Sequence, residues 1–373
     1  MRHIYIHVPF CRRRCSYCDF AIAVRRAVPA ARFLDAVVAE HRLRCDAGEW
    51  DAEPVETLYL GGGTPSLLPP EVIPGLISEF LGPSGAQEVA LEANPEDVTP
   101  AAARMWKEAG IARVSLGIQS FQAHVLAWMH RSHGVDAGAA AVHALRHAGM
   151  ESVSLDLIFG LPPELCSDFV ADLDAALALE PDHLSVYGLT AEPRTPYARW
   201  LERDTVRASS DDTYAEEFLM AHDRLGAAGY EHYEVSNYAR PGHRSRHNSA
   251  YWTGAAYAGL GPSAHRHRAG ERSWNVSAWT AYERRLLQGL DPTAEREVLT
   301  PAQVRLERTY LGLRTVEGIE RVLLDEPNLA RVRREATTAG LLEERDGRVM
   351  ATPAGWLKLD EIVPALTTSA KSG

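Results

Sequence analysis

Three cysteines near the start of the chain place the strongest constraint on its fold. Cys11, Cys15 and Cys18 fall within eight residues, directly after the alternating apolar segment 4–8, which predicts a strand. Clustered thiols on one short loop are typical of a metal site. Structural zinc usually takes four protein ligands, often as two separated pairs, and no second pair follows. Thiolates also bind iron-sulfur clusters, and a cubane cluster held by three cysteines has one iron free for another molecule.

A disulfide is the simplest alternative for these thiols. The chain has five cysteines, which is an odd number, and we expect no signal peptide before the first strand. We therefore predict that Cys11, Cys15 and Cys18 bind an iron-sulfur cluster. Cys45 and Cys166 fit no metal spacing, and we predict that both pack inside the protein as small hydrophobic residues.

Strand and helix patterns alternate over the first half of the chain. Strands are predicted at residues 4–8, 55–60, 88–91, 113–118, 153–159 and 183–187. Helices are predicted at residues 31–44, 70–81, 100–109, 134–148 and 169–179. Such alternation predicts an α/β fold with a parallel sheet, and six units of this kind predict an open, partial (β/α)6 barrel similar to a TIM barrel.

Each predicted strand is followed by polar or glycine-rich residues. These segments are the cysteine loop and residues 61–65, 92–96, 117–121, 156–162 and 187–190. The C-terminal ends of parallel strands share one rim, which is where barrel enzymes place their sites. The sequence therefore predicts one mouth on which all six segments converge.

The spacing Cys-x3-Cys-x2-Cys after a first strand resembles the signature of the radical S-adenosylmethionine (SAM) enzymes. The resemblance narrows to the HemN/HemW group on the residues around the cysteines. These are Tyr5, His7, Pro9, Phe10, Asp19 and Phe20. The group contains oxygen-independent coproporphyrinogen III oxidases and heme chaperones. Its motifs extend from Tyr5 to about His265, so the resemblance covers most of the chain and implies a radical SAM barrel.

The resemblance implies that the open iron of the cluster binds SAM. The residues that match SAM contacts in the group are Tyr5, Tyr17, Gly62, Gly63, Thr64, Glu92, Gln119, Arg131 and Asp156. The planar fork of Arg131 suits a carboxylate, and Gln119 or Asp156 suits ribose hydroxyls. Each polar residue has an alternative role as a structural ion pair or strand-end cap, and Tyr5 has one as a core residue.

A second motif lies beyond the barrel. The residues that match a heme-contact motif of HemW-type proteins are His247, Asn248, Tyr251 and Trp252. A neutral imidazole can ligate heme iron, and flanking aromatic side chains can cover the macrocycle. In the alternative, Tyr251 and Trp252 pin this loop to the barrel while His247 caps a helix or faces water. The sequence leaves both alternatives open, and His265 and His267 are further candidates for an axial ligand.

We divide the chain into a core barrel of residues 1–240, an extension of residues 241–290, a C-terminal domain of residues 291–366 and a tail of residues 367–373. Helical patterns at 301–312 and 329–339, followed by a hairpin signal at Asp346-Gly347, resemble a winged helix. From Asp291 onward there are 12 basic and 14 acidic residues, and the formal charge of the chain is -11. We therefore expect no nucleic-acid partner.

Three functions remain open. An oxidase would decarboxylate coproporphyrinogen III, but oxidases of this kind carry a further cysteine at the position of Phe20, and this departure counts against that activity. A heme chaperone of the HemW type would bind heme and pass it to acceptor proteins, and Phe20 and the 247–252 motif favour this hypothesis. Another radical SAM enzyme is the third. No catalytic residue is assigned.

The resemblance implies three cofactors, a 4Fe-4S cluster, SAM and heme. The expected partners are heme-acceptor proteins and a one-electron donor such as flavodoxin or ferredoxin. Residues 12–14, all arginine, form either a solvated loop or a docking patch for acidic groups. No apolar run approaches the roughly 20 residues of a membrane helix, and reduced thiols agree with a cytoplasmic location. The oligomeric state stays open, with a homodimer as one option.

Overall fold

The structure, a computed structural model, describes residues 1–50, 54–81 and 85–367. Apart from Thr367, the predicted tail lies outside the described residues. The strands are β1 His3–Val8, β2 Phe10–Cys11, β3 Ala23–Val24, β4 Thr57–Gly62, β5 Glu88–Ala93, β6 Arg113–Gln119, β7 Ser152–Phe159, β8 His183–Gly188, β9 Glu231–Glu234, β10 Asn237–Ala239, β11 Tyr257–Leu260, β12 His265–Arg268, β13 Glu271–Asn275, β14 Thr293–Val298, β15 Ile319–Glu320, β16 Leu342–Arg345 and β17 Arg348–Ala351. The α-helices are α1 Ala30–Asp46, α2 Ile73–Phe80, α3 Pro100–Glu108, α4 Ala123–Trp128, α5 Val135–His147, α6 Phe169–Ala178, α7 Pro196–Glu202, α8 Asp211–Ala227, α9 Arg246–Trp252, α10 Trp279–Leu287, α11 Pro301–Leu313, α12 Pro327–Thr338, α13 Pro353–Trp356 and α14 Leu359–Thr367.

Six parallel strands form the centre of a large sheet, in the order β1, β4, β5, β6, β7 and β8. These are the six predicted strands, and the predicted α/β fold is confirmed. Beyond β8 the sheet ends in the antiparallel hairpin β9–β10. On the other side, β11 pairs in parallel with β1, and β12, β13 and β14 follow as antiparallel strands. None of the helices in the described ranges is long and apolar enough to cross a membrane.

Several helices begin where side-chain chemistry favours a start. Thr99 accepts a hydrogen bond from the third residue of α3, with Pro100 at the first helical position. Asp168 caps α6 and Ser245 caps α9 in the same way. Such caps satisfy amide groups that have no partner inside the helix, so they fix where the helix begins.

Each parallel strand alternates apolar and polar side chains, which places them on opposite faces of the sheet. The apolar face, for example Ile4, Ile6, Leu58 and Leu60, is buried in the main hydrophobic cluster together with residues of the surrounding helices. The opposite face points into the barrel. Its polar side chains include His3, Tyr5, Thr57, Tyr59, Glu92, Ser115, Asp156, His183 and Ser185. The barrel interior is therefore a hydrogen-bonded polar space rather than an apolar core.

The C-terminal elements match the predicted helix, helix and hairpin. Strands β15, β17 and β16 form a small antiparallel sheet, and the hairpin turn at Asp346 and Gly347 has φ angles of 52° and 74°. Two consecutive positive φ angles are typical of tight hairpin turns. Strand β14 pairs with β13 of the large sheet, although it follows residue 291. We therefore propose that the C-terminal unit starts with α11 at Pro301.

Candidate functional site

The C-terminal ends of the six parallel strands surround one cavity of about 480 Å³. This volume lies within the usual range of small-molecule sites. The cavity is lined by all three predicted cluster ligands and by eight of the nine residues predicted to contact SAM. These are Cys11, Cys15 and Cys18, and Tyr17, Gly62, Gly63, Thr64, Glu92, Gln119, Arg131 and Asp156. The structure thus brings six separate segments of the sequence to one mouth.

Backbone hydrogen bonds to two other segments of the chain hold the cysteine loop in place. The amide of Ser16 donates to Met129 O at 3.2 Å, and Ser16 O accepts from the amide of Tyr197 at 2.9 Å. Ser16 is fully buried between two of the cysteines. Sequence reasoning missed this residue, because its contacts come from the residue after α4 and from α7, which are distant in the sequence and leave no local pattern.

Two side chains donate hydrogen bonds to the thiols. The Thr64 hydroxyl donates to Cys11 Sγ at 3.4 Å, and Arg131 Nη1 donates to Cys15 Sγ at 3.6 Å. Donors of this kind stabilise sulfur in its thiolate form. Burial raises the pKa of Cys18 to about 11, so a thiolate there needs a nearby cation. Iron ions would supply that positive charge.

The geometry of the thiols is a further test of fit. Within the described residues, no three histidine, cysteine, aspartate or glutamate side chains are arranged to hold a single metal ion. A cubane cluster spreads its ligands more widely than one ion does, because each thiolate binds a different iron.

The glycine loop at the end of β4 packs directly behind the cysteine loop. Gly62 has a φ of 112°, and a Cβ on it would lie 2.6 Å from the His7 ring. A Cβ on Gly63 would lie 2.9 Å from the carbonyl oxygen of Phe10. The amide of Gly62 donates to Glu92 Oε2 at 2.9 Å. A side chain on Gly62 or Gly63 would collide with these neighbouring groups, so both positions require glycine. The loop therefore presents its backbone, without side chains, to the cavity.

Two half-buried carboxyl groups share the cavity. Glu92 Oε1 accepts from the Tyr59 hydroxyl at 2.9 Å, and Asp156 Oδ1 accepts from the Ser115 hydroxyl at 2.9 Å. Burial raises the pKa of Glu92 to about 7 and that of Asp156 to about 6. A positively charged ligand would favour the ionised form of both groups. The sulfonium and amino groups of SAM fit this requirement.

Arg131 reaches the cavity from the loop after α4. Its Nη2 donates to Asn94 Oδ1 and to Gly117 O, each at 2.6 Å. Its Nε is buried and has no hydrogen-bond partner among the described residues. A buried donor without a partner is costly, so a ligand carboxylate fits beside this group.

Tyr5 is the one predicted SAM residue that does not line the cavity. Its hydroxyl lies 3.1 Å from His7 Nδ1, and its ring stacks on Tyr59 with centroids 6.1 Å apart. The ring therefore lies inside the barrel, below the cavity.

The 247–252 motif lies at the opposite end of the barrel from the cysteines. His247 contacts Thr57, the first residue of β4, with its Nδ1 2.7 Å from Thr57 Oγ1. Its Nε2 lies 2.8 Å from the Tyr251 hydroxyl, and only 1% of the residue is exposed. Burial lowers the pKa of His247 to about 3. Neither ring nitrogen is free to bind iron in this structure.

The other residues of this motif are also held by protein contacts. The amide of Asn248 donates to the capping hydroxyl of Ser245 at 3.3 Å. The guanidinium of Arg314, just after α11, lies 4.8 Å from the ring centroid of Trp252. These contacts hold α9 between the barrel and the C-terminal unit. The arrangement agrees with the alternative in which Tyr251 and Trp252 attach this segment to the barrel.

The prediction that Cys45 and Cys166 pack inside the protein is wrong, because both are exposed. Cys45 lies in the last turn of α1 on its solvent side. Cys166 follows a short turn in a left-handed conformation, with a φ of 47°, and its exposed thiol donates to Pro163 O at 3.7 Å. Neither cysteine lines the cavity.

Comparison with known proteins agrees with these features. Residues 5–176 match the model of the Radical SAM superfamily. The heme chaperone HemW of Mycobacterium tuberculosis (strain ATCC 25618 / H37Rv) is 39% identical over 372 residues, which cover 97% of this chain and 94% of the relative. HemW of Bacillus subtilis (strain 168) is 31% identical over 98% of this chain and 99% of its own length. The solved structure of coproporphyrinogen III oxidase (HemN) from Escherichia coli has a TM-score of 0.79 at 21% identity, covering 98% of this chain and 90% of that one, and it supports the fold.

Proposed function

The chain belongs to the HemW family of radical SAM proteins, and from this premise we propose that it is a heme chaperone, which binds heme and passes it to acceptor proteins. The observation that carries the proposal is the similarity to HemW proteins over almost the whole chain, at 31% to 39% identity. Phe20 supports it. This side chain is 55% exposed at the cavity mouth, at the position where oxidases of the related type carry a further cysteine.

A radical SAM protein carries a 4Fe-4S cluster and SAM. We propose that Cys11, Cys15 and Cys18 bind the cluster and that the residues lining the cavity hold SAM. When bound, the cluster would supply the one-electron reduction of SAM on which radical SAM chemistry depends. The protein itself orients the cysteine loop through Ser16 and stabilises two thiolates through Thr64 and Arg131.

Further residues would shape the SAM site. Glu92 holds the glycine loop through the amide of Gly62, and Asp156 offers a second carboxyl group to the cavity. Heme contact by His247, Asn248, Tyr251 and Trp252 would require α9 to leave its place against the barrel, because the described contacts occupy both ring nitrogens of His247.

Heme binding and transfer are the direct test of the proposed function. Cluster-reconstituted protein titrated anaerobically with heme is expected to bind about one heme per chain, seen as a shift of the Soret band. On mixing with an apo heme protein, the heme is expected to leave and the acceptor spectrum to appear. Absence of binding, together with conversion of coproporphyrinogen III to protoporphyrinogen IX, would reject the chaperone and favour the oxidase.

We also propose that an acidic one-electron donor docks on the outer side of the cysteine loop. Although the chain has a net charge of -11, residues 12–26 contain five arginines and one acidic residue. All five arginines are exposed, and Arg12 and Arg13 line the cavity mouth. Among the residues that the structure describes, Arg13 and Arg26 have no ion pair or hydrogen bond. A donor with a negative surface would be attracted to this patch, close to the thiols.

Charge reversal tests this docking surface. The double variant Arg13→Glu and Arg26→Glu is expected to slow cluster reduction by a reduced flavodoxin or ferredoxin roughly tenfold at low salt, with a smaller effect at high salt because charge attraction is screened. Stopped-flow absorbance measures the rate. Arg104→Glu with Arg334→Glu, two exposed arginines elsewhere, is the control with the same change in net charge. Equal slowing by both double variants would rule out a local docking patch.

A further inference from the structure

A buried network of charged side chains lies outside the cavity. Its centre is Glu40 of α1, which has no exposed surface. Two buried arginines donate to Oε1 of this carboxylate, Arg44 Nη2 at 3.3 Å and Arg266 Nη1 at 3.5 Å. None of the three residues lines the cavity. Because a buried charge is costly even when it is paired, this network calls for a role beyond general stability.

The five partners of the Glu40 carboxylate among the described residues are all hydrogen-bond donors. Besides the two arginines, Oε1 accepts from Asn275 Nδ2 at 2.7 Å. Oε2 accepts from the Tyr282 hydroxyl at 2.7 Å and from the amide of Gly261 at 3.0 Å. A carboxylate accepts with both oxygens, whereas glutamine in its place would turn an NH2 group towards other donors. This position therefore requires a carboxylate.

Gly261 provides the first connection from this carboxylate to the cysteine loop. Gly261 follows β11 with a φ of 96°, and a Cβ on it would lie 2.5 Å from His7 O, so the two backbones are in direct contact. The His7 ring continues the connection, because its Nε2 lies 3.0 Å from the carbonyl oxygen of Ala21, just beyond the cysteine loop. Through Gly261, Glu40 thus fixes the strand end from which residues 9–11 continue.

A second connection runs through α10. Tyr282, which donates to Glu40, lies one turn after Trp279, and the two ring centroids are 6.1 Å apart. The indole of Trp279 meets the ring of Phe10 edge-on at 5.3 Å. Phe10 is fully buried and directly precedes Cys11. Both connections therefore end just before Cys11 in the chain.

We propose that Glu40 is a positioning residue for Cys11, and that through it the buried network sets the place of one cluster thiolate. This inference rests on the proposed cluster site. Cys11 is 8% exposed, whereas Cys15 and Cys18 are half-buried. Of the three thiols, Cys11 is therefore the one whose place depends most on the packing around it.

Alkylation of the full chain without its cluster tests the positioning directly. In Glu40→Gln, Cys11 is expected to react with iodoacetamide about tenfold faster than in the wild type, because the loss of hydrogen bonds to a charged group loosens the packing before it. Cys15 is expected to keep its wild-type rate. Mass spectrometry of the digested protein measures each thiol separately.

Glu88→Gln is the matched control. Glu88 is also a buried carboxylate, which accepts from Arg113 Nε at 3.0 Å and from the amide of His247 at 3.1 Å. It is the first residue of β5 and lies at the end of the barrel opposite the cysteines. This variant is expected to lower the melting temperature to a similar extent and to leave the alkylation of Cys11 unchanged.

The same two variants extend the test to the reconstituted cluster. Glu40→Gln is expected to lose iron to a chelator about tenfold faster than the wild type and to shift the midpoint potential of the cluster, since one thiolate is held less firmly. Glu88→Gln is expected to match the wild type in both. Visible absorbance follows the loss of iron, and a redox titration monitored by electron paramagnetic resonance gives the potential.

The outcomes separate this inference from the proposed function. Equal acceleration in Glu40→Gln and Glu88→Gln would leave Glu40 a general stabilising role and overturn the inference, as would wild-type iron loss and potential in Glu40→Gln. If Glu40→Gln does not fold, Tyr282→Phe interrupts only the connection through α10. Faster alkylation of Cys11 is expected in that variant, and an unchanged rate would overturn the inference. If the wild-type protein assembles no cluster, the proposed cluster site falls and the inference falls with it.

Discussion

Replacing Cys15 with alanine is expected to leave the protein without its iron-sulfur cluster, with roughly a tenth or less of the wild-type iron and sulfide per chain after anaerobic reconstitution. Cys15 is the central thiol of the loop, and its sulfur accepts a hydrogen bond from Arg131. The cavity contains three thiols, so the loss of Cys15 leaves two protein ligands for the cluster. The iron that Cys15 would bind then has no protein ligand. Iron and sulfide analysis, together with the visible absorbance of the cluster, measures the effect.

The chain provides a matched control for this substitution. Cys166 is exposed and does not line the cavity, so Cys166→Ala is expected to assemble the cluster like the wild type. If Cys15→Ala retained wild-type iron and absorbance, the assignment of the cluster to this loop would be wrong. If both variants lost iron, the effect would come from thiol chemistry during reconstitution rather than from ligation.

The sequence predicted much of the barrel because local pattern and global topology agree there. All six predicted strands exist, and their polar C-terminal ends meet as expected because parallel strands force them onto one rim. The strands themselves carry a further signal. Residues such as Thr57, Tyr59 and Asp156 alternate with apolar neighbours, and this alternation is a sequence pattern that indicates a polar barrel interior.

The parts that the sequence did not determine depend on contacts between distant segments. Ser16 is an ordinary loop residue in the sequence, and only the positions of Met129 and Tyr197 make it an anchor. The prediction for Cys45 and Cys166 rests on the average behaviour of free cysteine. Their exposure depends instead on the side of α1 on which Cys45 lies and on the turn that Cys166 follows. In the same way, a histidine in a motif can be a ligand or a structural residue, and only its partners decide.

His247 is the clearest example of a motif histidine whose partners indicate a structural role. Its two ring nitrogens join Thr57 of β4 to Tyr251 of α9, and its amide donates to Glu88 Oε1 at 3.1 Å. The side chain thus closes the end of the barrel opposite the cysteines. In this arrangement His247 stabilises the fold.

His247→Ala is therefore expected to destabilise the protein by about 3 kcal/mol, because it leaves the Tyr251 hydroxyl without its partner, leaves the Thr57 hydroxyl with His3 alone and opens a cavity. Thermal unfolding is expected to shift down by roughly 5–10 °C. Tyr251→Phe removes only one of the two hydrogen bonds and is expected to cost about 1 kcal/mol. Heme titration of the folded variants completes the measurement. A normal melting temperature with lost heme binding in His247→Ala would mean that α9 opens and that His247 reaches the iron.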